Sequence, residues 1–214
     1  MGINETLERM RNSGTIQKGA LGEDAVWEVL AERPGKCLLY HSLRYPYQTD
    51  RSGICYLGNI KYENGQFFDI TSEDTEDEID CVYITPYRIF LIEVKSYRAK
   101  RIDIYDHWIN RGNEPMDKSP VTQAEKHARH FYHATYEYIP DGKTEYIVPV
   151  VCFVDKTILR DARDEYFQRY IPVCTLNSLN KVIQTYNKPL KYGISLKDMD
   201  HRVKQISISI DKEL

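Results

Sequence analysis

The stretch EIDCVYITPYRIFLIEVK, residues 78–95, carries the pattern that decides the fold. Two segments rich in β-branched and aromatic residues, 79–84 and 89–94, flank a short turn that contains Pro86. Such segments on either side of a turn predict two neighbouring antiparallel strands. The first predicted strand contains an acidic residue, Asp80, and the second ends in a Glu-x-Lys sequence at Lys95.

The two carboxylates of this stretch are predicted to meet across the strand pair. A turn centred after Pro86 pairs Ile84 with Ile89, and counting outward places Asp80 opposite Glu93. Directly opposed side chains lie roughly 5 Å apart at Cβ, so two carboxylates repel each other unless a cation lies between them. Hard divalent cations bind through one or two carboxylates. We therefore predict that Asp80 and Glu93 hold a divalent metal ion.

Strand alternation places Glu93 and Lys95 on one face and Val94 on the other, together with Phe90 and Ile92. The Lys95 ammonium then lies beside the predicted metal site, where it can stabilise negative charge on a phosphate. The alternative interpretation is an edge hairpin with a solvated acidic face and a chance Glu-x-Lys.

The remaining chain predicts an α/β layered domain with a mixed sheet. Asn64-Gly65 indicates a hairpin, Ser119-Pro120 a helix start, and the acidic segment 73–78 a solvated loop. The predicted helices are 16–31, 119–138 and 178–186. The other predicted strands are 37–45, 60–62, 67–70, 101–105, 146–154 and 172–176, and the tail beyond 186 is left without an assignment.

Two polar residues lie where a site could use them. Glu23 is three and seven residues before Val26 and Leu30, so its carboxylate lies on or beside the core-facing stripe of the first helix. Gln123 lies in the first turn of the helix that begins at Ser119, a position that tolerates polar groups aimed at an anion. A boundary glutamate and a solvated glutamine are the plainer interpretations.

Together these motifs resemble the nuclease-related domain family of the PD-(D/E)xK nuclease superfamily. Gly19-Ala20-Leu21-Gly22-Glu23 is similar to its G-x-x-G-E motif, and the sequence ending at Asp80 is similar to its E-I-D. The sequence ending at Lys95 is similar to its I-E-V-K, and Pro120 with Gln123 to its Pro-x-x-Gln helix. The four motifs occur in the family's order.

The resemblance implies a restriction-endonuclease-like core and metal-dependent hydrolysis of phosphodiester bonds in DNA, with Mg²⁺ or Mn²⁺ as cofactor. It implies that Asp80, Glu93 and the backbone carbonyl of Val94 bind the metal and that Lys95 assists the attacking water. Glu23 and Gln123 are accessory active-site residues in this scheme. The chain is expected to be a single domain, 1–214, with a core at about 16–155, an inserted hairpin at 46–77 and a C-terminal extension at 176–214.

The formal net charge of −3 does not itself indicate a nucleic-acid partner. We predict a local phosphate-binding rim, with a scattered solvated surface as the alternative. Its residues are Arg98, Lys100, Arg101, Lys118 and Lys126, with Arg111 and Arg129 nearby. A metal site built from His127, His130 and His133 is not favoured, because the sequence offers these histidines no evident carboxylate partner.

Five scattered cysteines without a C-x-x-C pair, and an N-terminus without an apolar stretch, indicate a cytoplasmic protein without a membrane partner. The expected partner is DNA, with RNA still open, and a homo-oligomer, a helicase or another DNA-processing protein is a further candidate. Two alternative functions stay open. One is a catalytically weak module that binds nucleic acid or protein, and the other is a structural protein that oligomerises through a sheet edge.

Overall fold

The computed structural model describes residues 15–49, 55–56, 60–63, 66–69, 75–96, 99–104, 107–110, 113–116, 119–154 and 160–214. The helices are α1 (Thr15–Ala31), α2 (Pro120–Thr135), α3 (Glu165–Tyr170), α4 (Leu176–Tyr186) and α5 (Leu196–Ile206), with three short 3₁₀ turns at Tyr136–Tyr138, Pro140–Gly142 and Thr144–Tyr146. The strands are β1 (Leu38–Thr49), β2 (Cys55–Tyr56), β3 (Ile60–Glu63), β4 (Gln66–Asp69), β5 (Thr75–Ile84), β6 (Ile89–Lys95), β7 (Ala99–Ile102), β8 (Trp108–Asn110), β9 (Ile147–Phe153), β10 (Arg160–Asp161), β11 (Val173–Thr175) and β12 (Lys212–Glu213).

A central mixed sheet has the strand order β11-β9-β6-β5-β1-β12, with β2 paired to the far end of β1. Strand β5 is antiparallel to both β1 and β6, whereas β6, β9 and β11 run parallel to one another. A second sheet has the order β10-β7-β8, and β3 and β4 form the predicted hairpin around positions 64–65. The predicted α/β fold with a mixed central sheet is confirmed.

Helices cover both faces of the central sheet. On one face, α1 and α4 pack on alternate residues of the central strands, including Phe90, Ile92 and Val94. On the other face, α2 and α5 pack on Ile89 and Leu91. Both faces of β6 and β9 are therefore buried, which is why these strands are nearly continuous runs of apolar residues.

The register of β5 and β6 follows the count made from the sequence. Ile84 pairs with Ile89, and the ladder runs to Cys81 paired with Ile92. Asp80 and Glu93 occupy the next position outward, where the described ladder has already ended. The two central strands therefore part at the position where the acids were predicted to meet.

Side-chain alternation changes phase at Ser42 and Asp80. Pairing of β1 with β5 passes from His41–Cys81 to Leu43–Ile79, with Ser42 and Asp80 between the paired positions. Cys81 packs on the α1 side, yet Ile79 packs on the α2 side with Leu43. Ser42 adopts a φ of 49°, a left-handed conformation that costs a non-glycine residue about 1 kcal/mol or more. Both strands thus hold one residue outside the regular alternation, at the same level of the sheet.

Several predicted boundaries were wrong. The strands predicted at 37–45 and 79–84 are longer, because β1 and β5 stay paired as far as Tyr47 and Thr75. Residues 75–78, predicted within a solvated loop, therefore belong to β5, and Asp77 is buried. The helix that begins after Ser119 ends at Thr135 and passes into 3₁₀ turns rather than continuing to 138. The start of this helix is as predicted, with the Ser119 hydroxyl accepting from the Thr122 N–H.

The tail beyond residue 186, which had no sequence assignment, completes the core. Helix α5 buries Met199, Val203 and Ile206 against the α2 side of the sheet. Strand β12 then pairs with β1 through Tyr40 and His41. Among the described residues, no helix has the length and apolar character needed to cross a membrane.

If α5 is an integral part of the core, Met199→Ala should lower the free energy of unfolding by about 2–5 kcal/mol, because Met199 is fully buried. Lys197→Ala, an exposed position on the same helix, should change it by less than about 0.5 kcal/mol. Urea unfolding of the three proteins measures both values. A Met199→Ala protein as stable as the parent would show that α5 does not contribute to the core.

Candidate active site

The candidate site lies at the opening between β5 and β6. The Asp80 carboxylate reaches across this opening and accepts a hydrogen bond of 2.6 Å from the Val94 backbone N–H. A side chain thus satisfies a backbone donor that the strand ladder no longer pairs. In an antiparallel pair the N–H and C=O of one residue point to the same side. The Val94 carbonyl therefore faces the same opening as the Asp80 carboxylate.

Two further acids approach Asp80 from opposite layers. Glu23 comes from α1, and its carboxylate accepts a 3.2 Å hydrogen bond from the Ser42 hydroxyl. Glu93 comes from β6 on the side that α2 covers and is only 3% exposed. Burial, followed by the negative charges of Glu93 and Glu23, raises the pKa of Asp80 well above its ordinary value. Burial likewise raises the pKa of Glu23. Keeping the carboxylates at this opening ionised therefore costs free energy.

Lys95 lies at the end of β6 on the same side as Glu93, as strand alternation predicted. Its ammonium contacts Glu93 Oε1 and donates a 3.2 Å hydrogen bond to Gln123 Oε1. Gln123 is exposed in the first turn of α2, so the Lys95 amine lies between a buried carboxylate and the protein surface. The structure brings Lys95, Glu93 and Gln123 together, and it brings Glu23 and Asp80 to the same opening.

Sequence reasoning missed two residues of this cluster, Asp77 and His127. His127 is buried on α2, with Nε2 3.2 Å from Glu93 Oε2 and Nδ1 2.9 Å from Asp77 Oδ1. The Asp77 carboxylate also meets His130 Nδ1 at 3.0 Å and accepts a 3.1 Å hydrogen bond from the Tyr45 hydroxyl. The statement that these histidines lack carboxylate partners was therefore wrong for His127 and His130.

The error has a clear origin in the assumed secondary structure. Asp77 was assigned to a solvated loop, so no carboxylate was expected to face α2. A usable signal was present, because Asp77 and Ile79 alternate as a strand would, and His127 and His130 share a helix face with buried Phe131. Combining the two signals required knowing that β5 lies next to α2 in space, although the two elements are about 50 residues apart in the chain.

The charge states in this cluster follow from its contacts. Burial alone would lower the pKa of His127, but the hydrogen bonds and negative charges of Asp77 and Glu93 raise it to about 9. Burial would raise the pKa of Asp77, yet the hydrogen bonds and charges of His127 and His130 hold it well below its ordinary value. Each ring nitrogen of His127 lies within ion-pair distance of a carboxylate oxygen, which favours the imidazolium form at neutral pH.

The predicted basic rim is only partly described. Arg101 on β7 and Lys126 on α2 have exposed side chains. Arg98 and Lys118 lie outside the described residues, as does the side chain of Lys100. The described part of the rim thus consists of two exposed cations, one on β7 and one on α2.

A mixed sheet layered between helices, with acids and a lysine gathered where two central strands part, defines an α/β domain of the PD-(D/E)xK nuclease-like class. The family model described as the nuclease-related domain (NERD) matches residues 18–154, which is 137 of the 214 residues. The chain therefore belongs to the nuclease-related domain family, and the resemblance inferred from its motifs is confirmed. Searches among curated proteins and among solved structures each found no match.

The charge repulsion at the opening makes a testable prediction about stability. Asp80→Asn keeps an oxygen that can accept from the Val94 N–H but removes one of three neighbouring negative charges. Without divalent ions at neutral pH, we expect the free energy of unfolding of this variant to exceed that of the parent protein by on the order of 1 kcal/mol.

The advantage should shrink as the pH is lowered, because the raised pKa lets the parent protein neutralise Asp80 by protonation. Glu78→Gln is the matched control, since Glu78 is exposed and pairs with Arg44 at the surface. That change should alter stability by less than about 1 kcal/mol. Denaturant unfolding at several pH values tests the idea, which is contradicted if Asp80→Asn destabilises the metal-free protein.

Proposed function

We propose that this protein is a metal-dependent nuclease that hydrolyses phosphodiester bonds in DNA. Asp80, Glu93 and the backbone carbonyl of Val94 hold Mg²⁺ or Mn²⁺ in this proposal. The observation that carries it is the convergence of Asp80, Glu93 and Glu23 on one opening in the centre of the sheet, with the pKa of Asp80 raised by burial and by the other two acids. Burying like charges together is costly unless a proton or a cation offsets them.

The donor set suits a hard cation that keeps part of its water shell. Among the described residues, no three His, Cys, Asp or Glu side chains form a ready-made metal cage. Mg²⁺ is usually bound without such a cage, through one or two carboxylates together with water and substrate phosphate oxygens. A carboxylate has about four acceptor positions, so Glu93 can keep its contacts with Lys95 and His127 and still offer an oxygen to the cation.

A divalent cation at this place supplies positive charge that offsets the acids and polarises a phosphate oxygen. Lys95 contributes a second positive charge, one strand repeat beyond Glu93 and directed towards the surface by Gln123. An ammonium there stabilises the negative charge that develops on the phosphoryl oxygens, and it can hold the attacking water by a hydrogen bond. Glu23, already fixed by Ser42, extends the acidic wall on the α1 side.

The substrate assignment rests on charge and on the family. A protein of net charge −3 needs local cations to approach a polyanion, and Arg101 on β7 and Lys126 on α2 are exposed cations of the predicted rim. Since phosphate contacts carry no base sequence information, such a rim fits a nuclease with little sequence preference.

Cleavage should depend on Asp80 and Lys95. We expect Asp80→Asn and Lys95→Ala to lower the rate of DNA cleavage on the order of 100-fold or more, because each removes a charge that contacts the cation or the phosphate. Glu78→Gln should cleave at the parental rate, since its side chain points to the surface and pairs with Arg44. Assays with linear, circular and single-stranded DNA in Mn²⁺ give the rates, and undiminished cleavage by either active-site variant refutes the assignment.

The metal requirement can be tested separately from the protein side chains. Removing divalent ions with a chelator should abolish cleavage and leave the far-UV circular dichroism unchanged, because the apolar core on both faces of the sheet does not involve the site. Crystals soaked in Mn²⁺ should show electron density between Asp80 and Glu93. If the parent protein binds DNA yet neither cleaves it nor binds Mn²⁺, the protein is a nucleic-acid-binding module on a nuclease-like fold.

A further inference from the structure

The two buried histidines of α2 form a chain of contacts that ends on Glu93. His127 is 5% exposed and His130 is 1% exposed, although both are polar. They project from α2 towards β5 and β6, between the apolar residues that pack this helix on the sheet. Burial of such groups is costly unless each is paired, and their partners are Asp77 and Glu93.

His127 bridges the two carboxylates. Its Nδ1 lies 2.9 Å from Asp77 Oδ1 and its Nε2 lies 3.2 Å from Glu93 Oε2. The ring therefore cannot move away from one carboxylate without moving relative to the other. Lys95 contacts the second oxygen of Glu93, so each oxygen of this carboxylate lies beside one basic side chain.

Asp77 is itself fixed from two further directions. The Tyr45 hydroxyl donates to Asp77 Oδ2 at 3.1 Å, and His130 Nδ1 lies 3.0 Å from the same oxygen. Tyr45 is a fully buried residue of β1 and packs edge-on against Phe131 of α2. The position of the His127 ring is thus determined by three elements of the core, β1, β5 and α2.

We propose that His127 and Asp77 are positioning residues of the active site, which hold the Glu93 carboxylate in the orientation that binds the metal ion. Asp77 orients the His127 ring, and His127 orients Glu93. Neither residue touches the substrate or the metal ion. This inference rests on the proposed function, because it assigns the two residues a role in the metal site proposed above.

A purely structural role is the competing explanation, since buried ion pairs occur in cores without any site nearby. The two explanations differ in what happens to Glu93. Glutamate has several rotatable bonds, and Glu93 loses one of its two cationic contacts when His127 is replaced. Partners that orient a metal ligand typically contribute 10–100-fold in metal affinity, whereas a structural pair contributes to folding stability alone.

Affinity for Mn²⁺, measured by isothermal titration calorimetry on the full chain without nucleic acid, tests the proposal. We expect His127→Gln and Asp77→Asn each to weaken Mn²⁺ binding by about 10–100-fold relative to the parent. Thr135→Ala is the matched control, because Thr135 is buried on the same helix and its hydroxyl donates to the Phe131 carbonyl. This control should lower the melting temperature while leaving Mn²⁺ affinity within about threefold of the parent.

A double-variant cycle assigns the effect to Glu93. In a Glu93→Gln background, His127→Gln should produce no further loss of Mn²⁺ affinity, because the carboxylate it positions is already gone. Asp77→Asn preserves size and shape, so it decides the question if His127→Gln does not fold, as judged by circular dichroism.

The outcomes separate this inference from the proposed function. Parental Mn²⁺ affinity in Asp77→Asn or folded His127→Gln overturns the positioning role and leaves the nuclease assignment standing. An equal loss of affinity in Thr135→Ala also overturns it, because the loss then follows from lower stability. A parent protein that binds no Mn²⁺ overturns the proposed function itself, together with this inference.

Discussion

The hydrogen bond from the Val94 N–H to the Asp80 carboxylate is the interaction on which the rest of the site depends. Where β5 and β6 part, the Val94 N–H would otherwise be a buried donor without a partner, which costs free energy comparable to a lost hydrogen bond. Asp80 satisfies that donor and in doing so is held in the plane of the sheet. This hydrogen bond takes the place of a backbone bond between β5 and β6. It therefore keeps the Asp80 carboxylate at the opening between the strands, close to Glu93 and Glu23.

The opening itself follows from the phase change at Ser42 and Asp80. A regular pair of strands would continue the ladder and place every second side chain on one face. One residue outside the alternation in each strand lets apolar residues stay buried on both sides of the irregularity, because Ile79 joins the α2 side and Cys81 the α1 side. The strained backbone of Ser42 is compensated in part by its hydroxyl, which donates to Glu23. The strained backbone of Ser42 and the acidic side chains of Asp80 and Glu23 thus lie at the same level of the sheet.

Rigid surroundings hold the charged cluster in place. Glu93 and Lys95 belong to a central strand covered by helices on both faces, so their backbone positions are set by the packing of the whole core. Positive and negative groups alternate from Asp77 through His127 and Glu93 to Lys95. Each buried charge has an opposite neighbour, which lets the protein keep ionised groups in a region that otherwise excludes them. Asp80 does not belong to this series of alternating charges, and a cation bound beside it would extend the series.

The sequence by itself determined the β5–β6 register, the residues of the four family motifs and the order of the main elements α1, β1, β5, β6, α2 and β9, because strand period, turn chemistry and helix capping are local properties. Glu93 and Lys95 could be placed on one face for the same reason. The Asp77–His127 contact could not be predicted, since it joins β5 and α2 across about 50 residues and depends on how that helix lies on the sheet. Only the tertiary structure decided that the ladder ends beside Asp80 and that the tail after residue 195 enters the core. Both outcomes are set by packing between distant segments, where burial free energy overrides local preference.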